Sequence, residues 1–167
     1  KLIASHINHQ IRLDSCKRDQ IAAKYIAESL GIEFSSTTVN VPKISKQQKI
    51  SIETAARKVR YEILRELSEK YNAHGVVTGH TRDDQAETVL FHAGRGTGLK
   101  GLAGTDYRST MRFPHTEIEL PVLRPLLDIS RSTIVNYCKQ RGIQPVNDAS
   151  NDDREFTRNK IRLDVLP

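Results

Sequence analysis

The sequence contains no tryptophan, a single methionine (Met111) and two cysteines, and aromatic residues make up only 5% of its 167 positions. Cys16 and Cys138 stand far apart with no CxxC pair. That argues against a disulfide framework, a zinc ribbon or a cysteine-held cluster, and for a reduced, cytoplasmic setting. No apolar run approaches the roughly 20 residues that span a bilayer, which excludes a membrane-spanning helix. There is no initiator methionine, signal peptide or transit sequence ahead of Lys1-Leu2-Ile3-Ala4-Ser5-His6-Ile7, which reads as the inside of a strand, so the chain is expected to be a piece of a longer protein. Apolar residues, at 37%, fall below the globular average, but the charged fraction of 28% is ordinary and disorder throughout is not expected.

What is present is basic: 26 Lys and Arg against 20 Asp and Glu give a net charge of +6, which suits a polyanionic partner. The hydrophobic pattern alternates strand and helix. Leu2 to Asn8 reads as a buried strand, and a helix follows from about Asp14 to Leu30 with Ile21, Ala22, Tyr25, Ile26 and Leu30 on its apolar face. A second strand covers Ile32 to Val41, then a lysine-rich loop (Pro42, Lys43, Lys46, Lys49) leads to a helix over Ser51 to Tyr71 with Ile52, Ala55, Ala56, Val59, Ile63, Leu64 and Leu67 on one stripe. Gly75 to Gly79 is a short strand, a helix begins near Asp83 and stops at Gly94, and 96–125 reads as a glycine-rich turn followed by extended segments. Ser130 caps a helix that Gly142 ends, and the polar tail turns weakly helical before Pro167. Strands joined by helices of this length imply a Rossmann-like α/β fold: a mostly parallel sheet with helices on both faces, core about 1–142 and tail 143–167. Such sheets bind ligands beyond the carboxyl ends of their strands, which directs attention to His6–His9 and Gly79–Asp84.

The run Thr78-Gly79-His80-Thr81-Arg82-Asp83-Asp84-Gln85-Ala86-Glu87-Thr88 carries most of the chemistry. Asp83 and Asp84 fall in a first helical turn, where the dipole favours negative charge by about 0.3–1 kcal/mol, and Asp84 and Glu87 share a helix face. Two carboxylates and the His80 imidazole suit a cation, either Mg²⁺ or a substrate ammonium, although acids in a first turn are equally explained by the dipole. Arg95-Gly96-Thr97-Gly98-Leu99-Lys100-Gly101-Leu102 offers backbone amides between two cations, an arrangement for phosphate and equally an ordinary turn. Arg60 borders an apolar stripe and should be paired with an acid or an anion if buried, because a lone buried guanidinium costs several kcal/mol. His6 and Asn8 face one way at the end of the first strand, with His9 and Arg12 beyond, and form a reasonable nucleotide rim.

These residues, in this order, carry a resemblance. His6-x-Asn8-His9-x-x-Arg12, Glu53-x-x-Ala56-Arg57-x-x-Arg60-Tyr61, Gly79-His80-x-x-Asp83-Asp84-Gln85-Ala86-Glu87-Thr88, Arg95-Gly96-x-Gly98-x-x-Gly101-Leu102, Arg124-Pro125-Leu126-Leu127, Asp148-x-Ser150-Asn151 and Arg158-Asn159-x-Ile161-Arg162 together resemble the amino-terminal domain of the bacterial tRNA(Ile)-lysidine synthetases. That resemblance implies an N-type ATP pyrophosphatase (PP-loop) domain with the adenine nucleotide alpha hydrolase-like fold. It implies a ligase that adenylates the wobble cytidine of tRNA(Ile) with a CAU anticodon and joins free L-lysine to it through the ε-amine. On that basis Asp84, Glu87, His80 and Arg60 are assigned to lysine and catalysis, and His6, Asn8, Arg95, Gly96 and Gly98 to ATP. Asp83 goes to Mg²⁺ or a cap, and Lys100, Arg158 and Arg162 to RNA. The family's phosphate signature, Ser-Gly-Gly-x-Asp-Ser, is nowhere in the sequence. By analogy the first strand and phosphate loop are missing, and the isolated chain is expected neither to cleave ATP nor to modify tRNA.

Other readings remain open from the residues alone. A thiolating relative would rely on cysteine pairs; an amidotransferase relative would carry a glutaminase; a nucleotide- or RNA-binding module without catalysis would bind ATP well as the chain stands. Pairing with a second copy to form a homodimer is also left open.

Overall fold

The computed structural model describes residues 1–11, 15–112, 119–144 and 157–166. Arg12, Asp14 and the Asp148–Asn151 motif lie outside the described residues. In chain order the elements are β1 (Ile3–Asn8), α1 (Ser15–Ser29), β2 (Glu33–Thr38), α2 (Val41–Gln48), α3 (Ile52–Lys70), β3 (Val76–Val77), α4 (Arg82–Gly94), α5 (Leu99–Leu102), β4 (Arg108–Arg112), β5 (Glu119–Leu123), α6 (Arg131–Gln140) and α7 (Thr157–Lys160), which runs into a wider π-helical turn, Ile161–Val165. The chain divides into two compact units, Lys1–Ala73 and His74–Pro167. No helix among the described residues is long and apolar enough to cross a membrane.

In the first unit β1 and β2 run parallel, from Ile3 opposite Glu33 to Asn8 opposite Thr38. The core lies under α3: Val41, Ala55, Ala56, Val59 and Ile63 are buried together, with Ile7, Val39, Ile44, Ile50 and Leu67 packed around them. The α3 stripe read from the sequence is therefore the core face, except that Ile52 is exposed. Ser51 starts this helix by accepting from Thr54 N at 3.1 Å.

Two expectations here need correction. The lysine-rich stretch after β2 is the helix α2, not a loop. Asn40 Oδ1 accepts from Lys43 N at 2.9 Å, proline sits in the first turn where its missing N–H costs nothing, and Lys49 closes the end in a left-handed conformation (φ 53°). The apolar face of α1 is also rotated from the expected one. Ile21, Tyr25 and Leu30 are 65–72% exposed, while Ala27 is buried and Ala22, Ala23 and Ile26 are half-buried. A row of small residues lets the helix lie close to β1 and β2, and the bulkier row is left outside.

In the second unit β3 and β5 are parallel (Val76 opposite Val122, Val77 opposite Leu123), and β4 pairs antiparallel with β5 from Arg108–Leu123 to Arg112–Glu119. The expected parallel arrangement holds for β1–β2 and β3–β5. The β4–β5 hairpin is an antiparallel addition, signalled by alternation along Arg108–Arg112, where Ser109 and Met111 turn inward and Arg108, Thr110 and Arg112 outward. Leu120 and Val122 bury the inner face of β5.

The core assignment can be tested directly. Ile63→Ala leaves a cavity in the first unit's only buried apolar cluster among the described residues, and is expected to lower stability by about 2–4 kcal/mol in urea denaturation.

Candidate functional site

The second unit gathers its chemistry at the carboxyl end of β3. Three residues separate β3 from Thr81, which caps α4 from an extended conformation (φ −111°, ψ 175°). The cap is reciprocal: Thr81 Oγ1 accepts from Asp84 N at 3.3 Å, and Asp84 Oδ2 accepts from Thr81 N at 2.8 Å and from Thr81 Oγ1 at 2.7 Å. The second oxygen of the Asp84 carboxylate has no hydrogen-bond partner among the described residues. One turn on, Glu87 is 93% buried and Thr88 nearly as much, with Thr88 Oγ1 donating to Asp84 O at 2.8 Å. His80 shares a hydrogen bond of 2.8 Å with Thr78 Oγ1 through Nδ1, which fixes the imidazole just ahead of the helix start. Two carboxylates on one helix face and an oriented imidazole therefore do stand at a strand terminus, as the sequence suggested.

Asp83 is placed differently from the expectation. Its Oδ2 accepts from Arg131 N at 2.8 Å, so it caps α6, a helix 48 residues later, and Thr81 is what caps α4. A carboxylate at the amino end of α6 also meets the positive end of that helix dipole. Among the described residues no three His, Cys, Asp or Glu side chains gather closely enough to hold a metal ion. Mg²⁺ needs only one or two protein carboxylates beside substrate phosphates, and no step is routed through it.

The glycine-rich segment is also corrected. Gly96 N and Thr97 N, expected to cradle phosphate, donate instead to Ala93 O and His92 O and close the end of α4, with Gly96 at φ +69°. Arg95 caps the same end and lays its guanidinium over the Phe91 ring at 5.2 Å. Eleven residues of helix separate it from Asp84, roughly 16 Å along the axis. Gly98 begins the short α5, on which Lys100 lies. Arg158 lies on α7, and the half-buried Arg162 on its continuation, both segments packing against α4.

The first unit holds the other expected group. Asn8 is buried, and its Oδ1 accepts from Gln10 N at 3.0 Å, turning the chain after β1 through a left-handed Gln10 (φ 51°). Its backbone oxygen accepts from Val39 N, and that of His9 from Val41 N. His9 Nδ1 is shut from solvent with no hydrogen-bond partner among the described residues. Burial lowers the pKa of His9, and the charges of Arg60 and then His6 lower it further; burial also lowers that of His6, opposed by Asp19. Both imidazoles are thus held neutral at pH 7. Arg60 is exposed rather than buried, which removes the argument that it requires an internal acid, yet it stands near enough to His9 to act on it. The orphaned Nδ1 is enclosed, so an adenine nucleotide at this rim would meet its other polar groups.

Two residues that the sequence reading passed over belong to the frame of the second unit. Gln85 bonds to both polar groups of Thr105. Arg124, 92% buried, donates from Nη1 to Asp106 O at 2.8 Å and to Ser109 Oγ at 3.0 Å. Both stood within motifs that carry the family resemblance, but neither was given a role: an arginine after an apolar strand was the available signal for the second, and the sequence held no sign of the partner of the first.

A profile of the PP-loop domain matches residues 1–167. The tRNA(Ile)-lysidine synthase of Clostridioides difficile (strain 630) is 40% identical over 167 residues, covering all of this chain and 34% of that protein. Its counterparts in Clostridium acetobutylicum and Bacteroides thetaiotaomicron are each 37% identical, over 99% and 98% of the chain and 34% and 36% of their own lengths. The chain spans about a third of the length of these relatives. Among solved structures, the U34-tRNA thiolase NcsA from Methanococcus maripaludis with its 4Fe-4S cluster superposes with a TM-score of 0.66 at 19% identity, over 96% of this chain and 60% of that one. That likeness is one of fold.

The histidine pair gives a test of the β1 rim. Both titrate below 6.5 when folded and near 6.5 when unfolded. Below about 6.5 the unfolded chain binds more protons, so the stability present at neutral pH is lost as the pH falls through 6.5 toward the folded values. Arg60→Gln is expected to move His9 upward in an NMR titration of the imidazoles and to leave His6 in place. An unmoved His9 would show that the guanidinium does not reach it.

Proposed function

The chain belongs to the PP-loop domain family, and from that membership we propose that it is the catalytic portion of an ATP-dependent ligase that attaches lysine to the wobble cytidine of a tRNA(Ile) bearing a CAU anticodon. Three relatives at 37–40% identity carry the name of that synthase. One observation carries the reading within this chain: the half-buried Asp84, anchored by one carboxylate oxygen and open at the other, a single turn from the buried Glu87. Cys16 and Cys138 are both free thiols, one in each unit.

The chemistry asked of these residues is specific. A lysine ε-amine has a pKa near 10.4 and arrives as an ammonium, but must lose a proton before its nitrogen attacks. Asp84 and Glu87 hold the cation, and the unbonded oxygen of Asp84 is positioned to take the proton as the nitrogen turns nucleophile. His80, fixed by Thr78, lines the approach to the same helix start, and Arg60 with the His6–Asn8 rim faces the nucleotide. ATP, when bound, supplies the group that activates the cytosine oxygen for displacement. Asp83 gives one carboxylate oxygen to the start of α6 and is assigned no step. Lys100, Arg158 and Arg162, with the excess positive charge, serve the RNA backbone. The protein acts in the cytoplasm, where tRNA, lysine and ATP meet.

Asp84→Asn separates the roles of this side chain. The amide oxygen can still accept from Thr81, so stability should change by no more than about 1 kcal/mol. Loss of the charge and of the basic oxygen should lower lysine incorporation into the RNA by about 100-fold or more in the full-length protein. Near-normal incorporation would reject the assignment.

A further inference from the structure

Asp83, Asp84 and Gln85 send their side chains in three directions from one helical turn, and the third direction is the one left unexplained by charge. Gln85 Oε1 accepts from Thr105 N at 2.8 Å, and Gln85 Nε2 donates to Thr105 O at 3.0 Å. An amide paired with both polar groups of a single residue imitates one rung of a strand ladder, and so fixes rotation as well as distance. Gly104, immediately before, has φ +73°, and a Cβ there would stand 2.5 Å from Gln85 Nε2. Glycine is required on conformational and steric grounds together. Beyond Thr105 the tie continues. Asp106 O accepts from Arg124 Nη1 at 2.8 Å, Tyr107 O accepts from Arg124 N at 2.9 Å, and Tyr107 Oη donates to Asp128 Oδ2 at 2.7 Å.

We propose that Gln85 is a positioning residue: by locking the first turn of α4 onto Gly104–Thr105, it sets where the Asp84 and Glu87 carboxylates meet the substrate amine. The inference deepens the ligase reading and rests on it for the identity of that amine. Asp84 is one residue before Gln85 and Glu87 two after, about 100° and 200° around a rigid turn, so neither carboxylate shifts without the glutamine. Arg82 N also donates to Ile129 O at 3.0 Å, and Asp83 holds Arg131, but both contacts lie on the side of the 129–131 segment. Gln85 ties the turn to the 104–107 segment. A side chain in this position touches no substrate, and its loss acts on how well the amine is held rather than on how fast it reacts.

Gln85→Met keeps the length of the side chain and removes both bonds; Gly104→Ala keeps Gln85 and displaces its amide. In the full-length protein both are expected to raise KM for lysine about tenfold, with kcat and KM for ATP changed less than twofold. Both should also speed amide exchange at Thr105 and across Thr81–Glu87. A fall in kcat with both KM values unchanged, the signature of less folded protein, would overturn the proposal, as would unchanged exchange across Thr81–Glu87. If the unaltered protein attaches no lysine, the ligase reading fails by itself, and the exchange measurement still decides whether Gln85 positions the turn.

Discussion

A helix that starts four residues after a strand has four amide donors with no partner inside it, and in this chain the start of α4 is where that deficit is met most fully. Thr81 and Asp84 satisfy one another, and Arg82 N reaches Ile129 O. The same turn makes three further bonds, one between Asp83 and α6 and two between Gln85 and Thr105. Asp84 can present an open carboxylate oxygen only because its other oxygen is held on both sides by Thr81 and because the turn itself cannot swing. A freely rotating aspartate would bind an ammonium with a larger entropy cost and less directional control over the proton.

The periodicity of the sequence was enough to locate β1, β2, α3, α4 and α6, because each has either a strong apolar stripe or an unambiguous cap. Ser51 and Ser130 begin their helices where a serine before a helical pattern is expected to. It was insufficient for α2. Only Val41 and Ser45 of that helix are buried, and the lysines around them gave the stretch the composition of a loop. It also misjudged α1, where residue size and not hydrophobicity decided which face met the strands. The bulky apolar residues there were the more conspicuous, and they are the exposed ones.

The functional residues divide in the same way. The grouping of His80, Asp84 and Glu87 at one strand end was legible from spacing, although the helix dipole accounts for acids in a first turn equally well. Asp83 was legible as an acid and misplaced as a ligand, because its partner, Arg131 N, lies 48 residues away and has no signature of its own. The glycines at 96 and 98 were read for what their backbone could offer a phosphate. Glycine at φ +69° after a helix serves first to end it, and the amides that follow are consumed in doing so. Gln85 was visible as part of a motif but had no role, because its partner, Thr105, lies 20 residues away.

Spare bonding capacity separates working groups from framing ones, provided that a ligand can reach it. Gln85 is committed to Thr105 through both ends of its amide, and Asp83 commits one carboxylate oxygen to Arg131 N. Asp84 has an oxygen to spare, on a side chain that is only half-buried. Arg124 marks the limit of the criterion. Its Nε also lacks a partner, but that atom is shut from solvent, so the vacancy costs on the order of 1–3 kcal/mol and is available to nothing. His9 lies between these cases. Its Nδ1 is enclosed like that of Arg124, but it stands at a strand terminus beside an exposed cation and on a ring kept neutral by burial. A neutral ring beside a cation can accept or donate as the incoming group requires, whereas a protonated one could only donate and would repel Arg60. The lowered pKa of His9 keeps a second positive charge from forming beside Arg60.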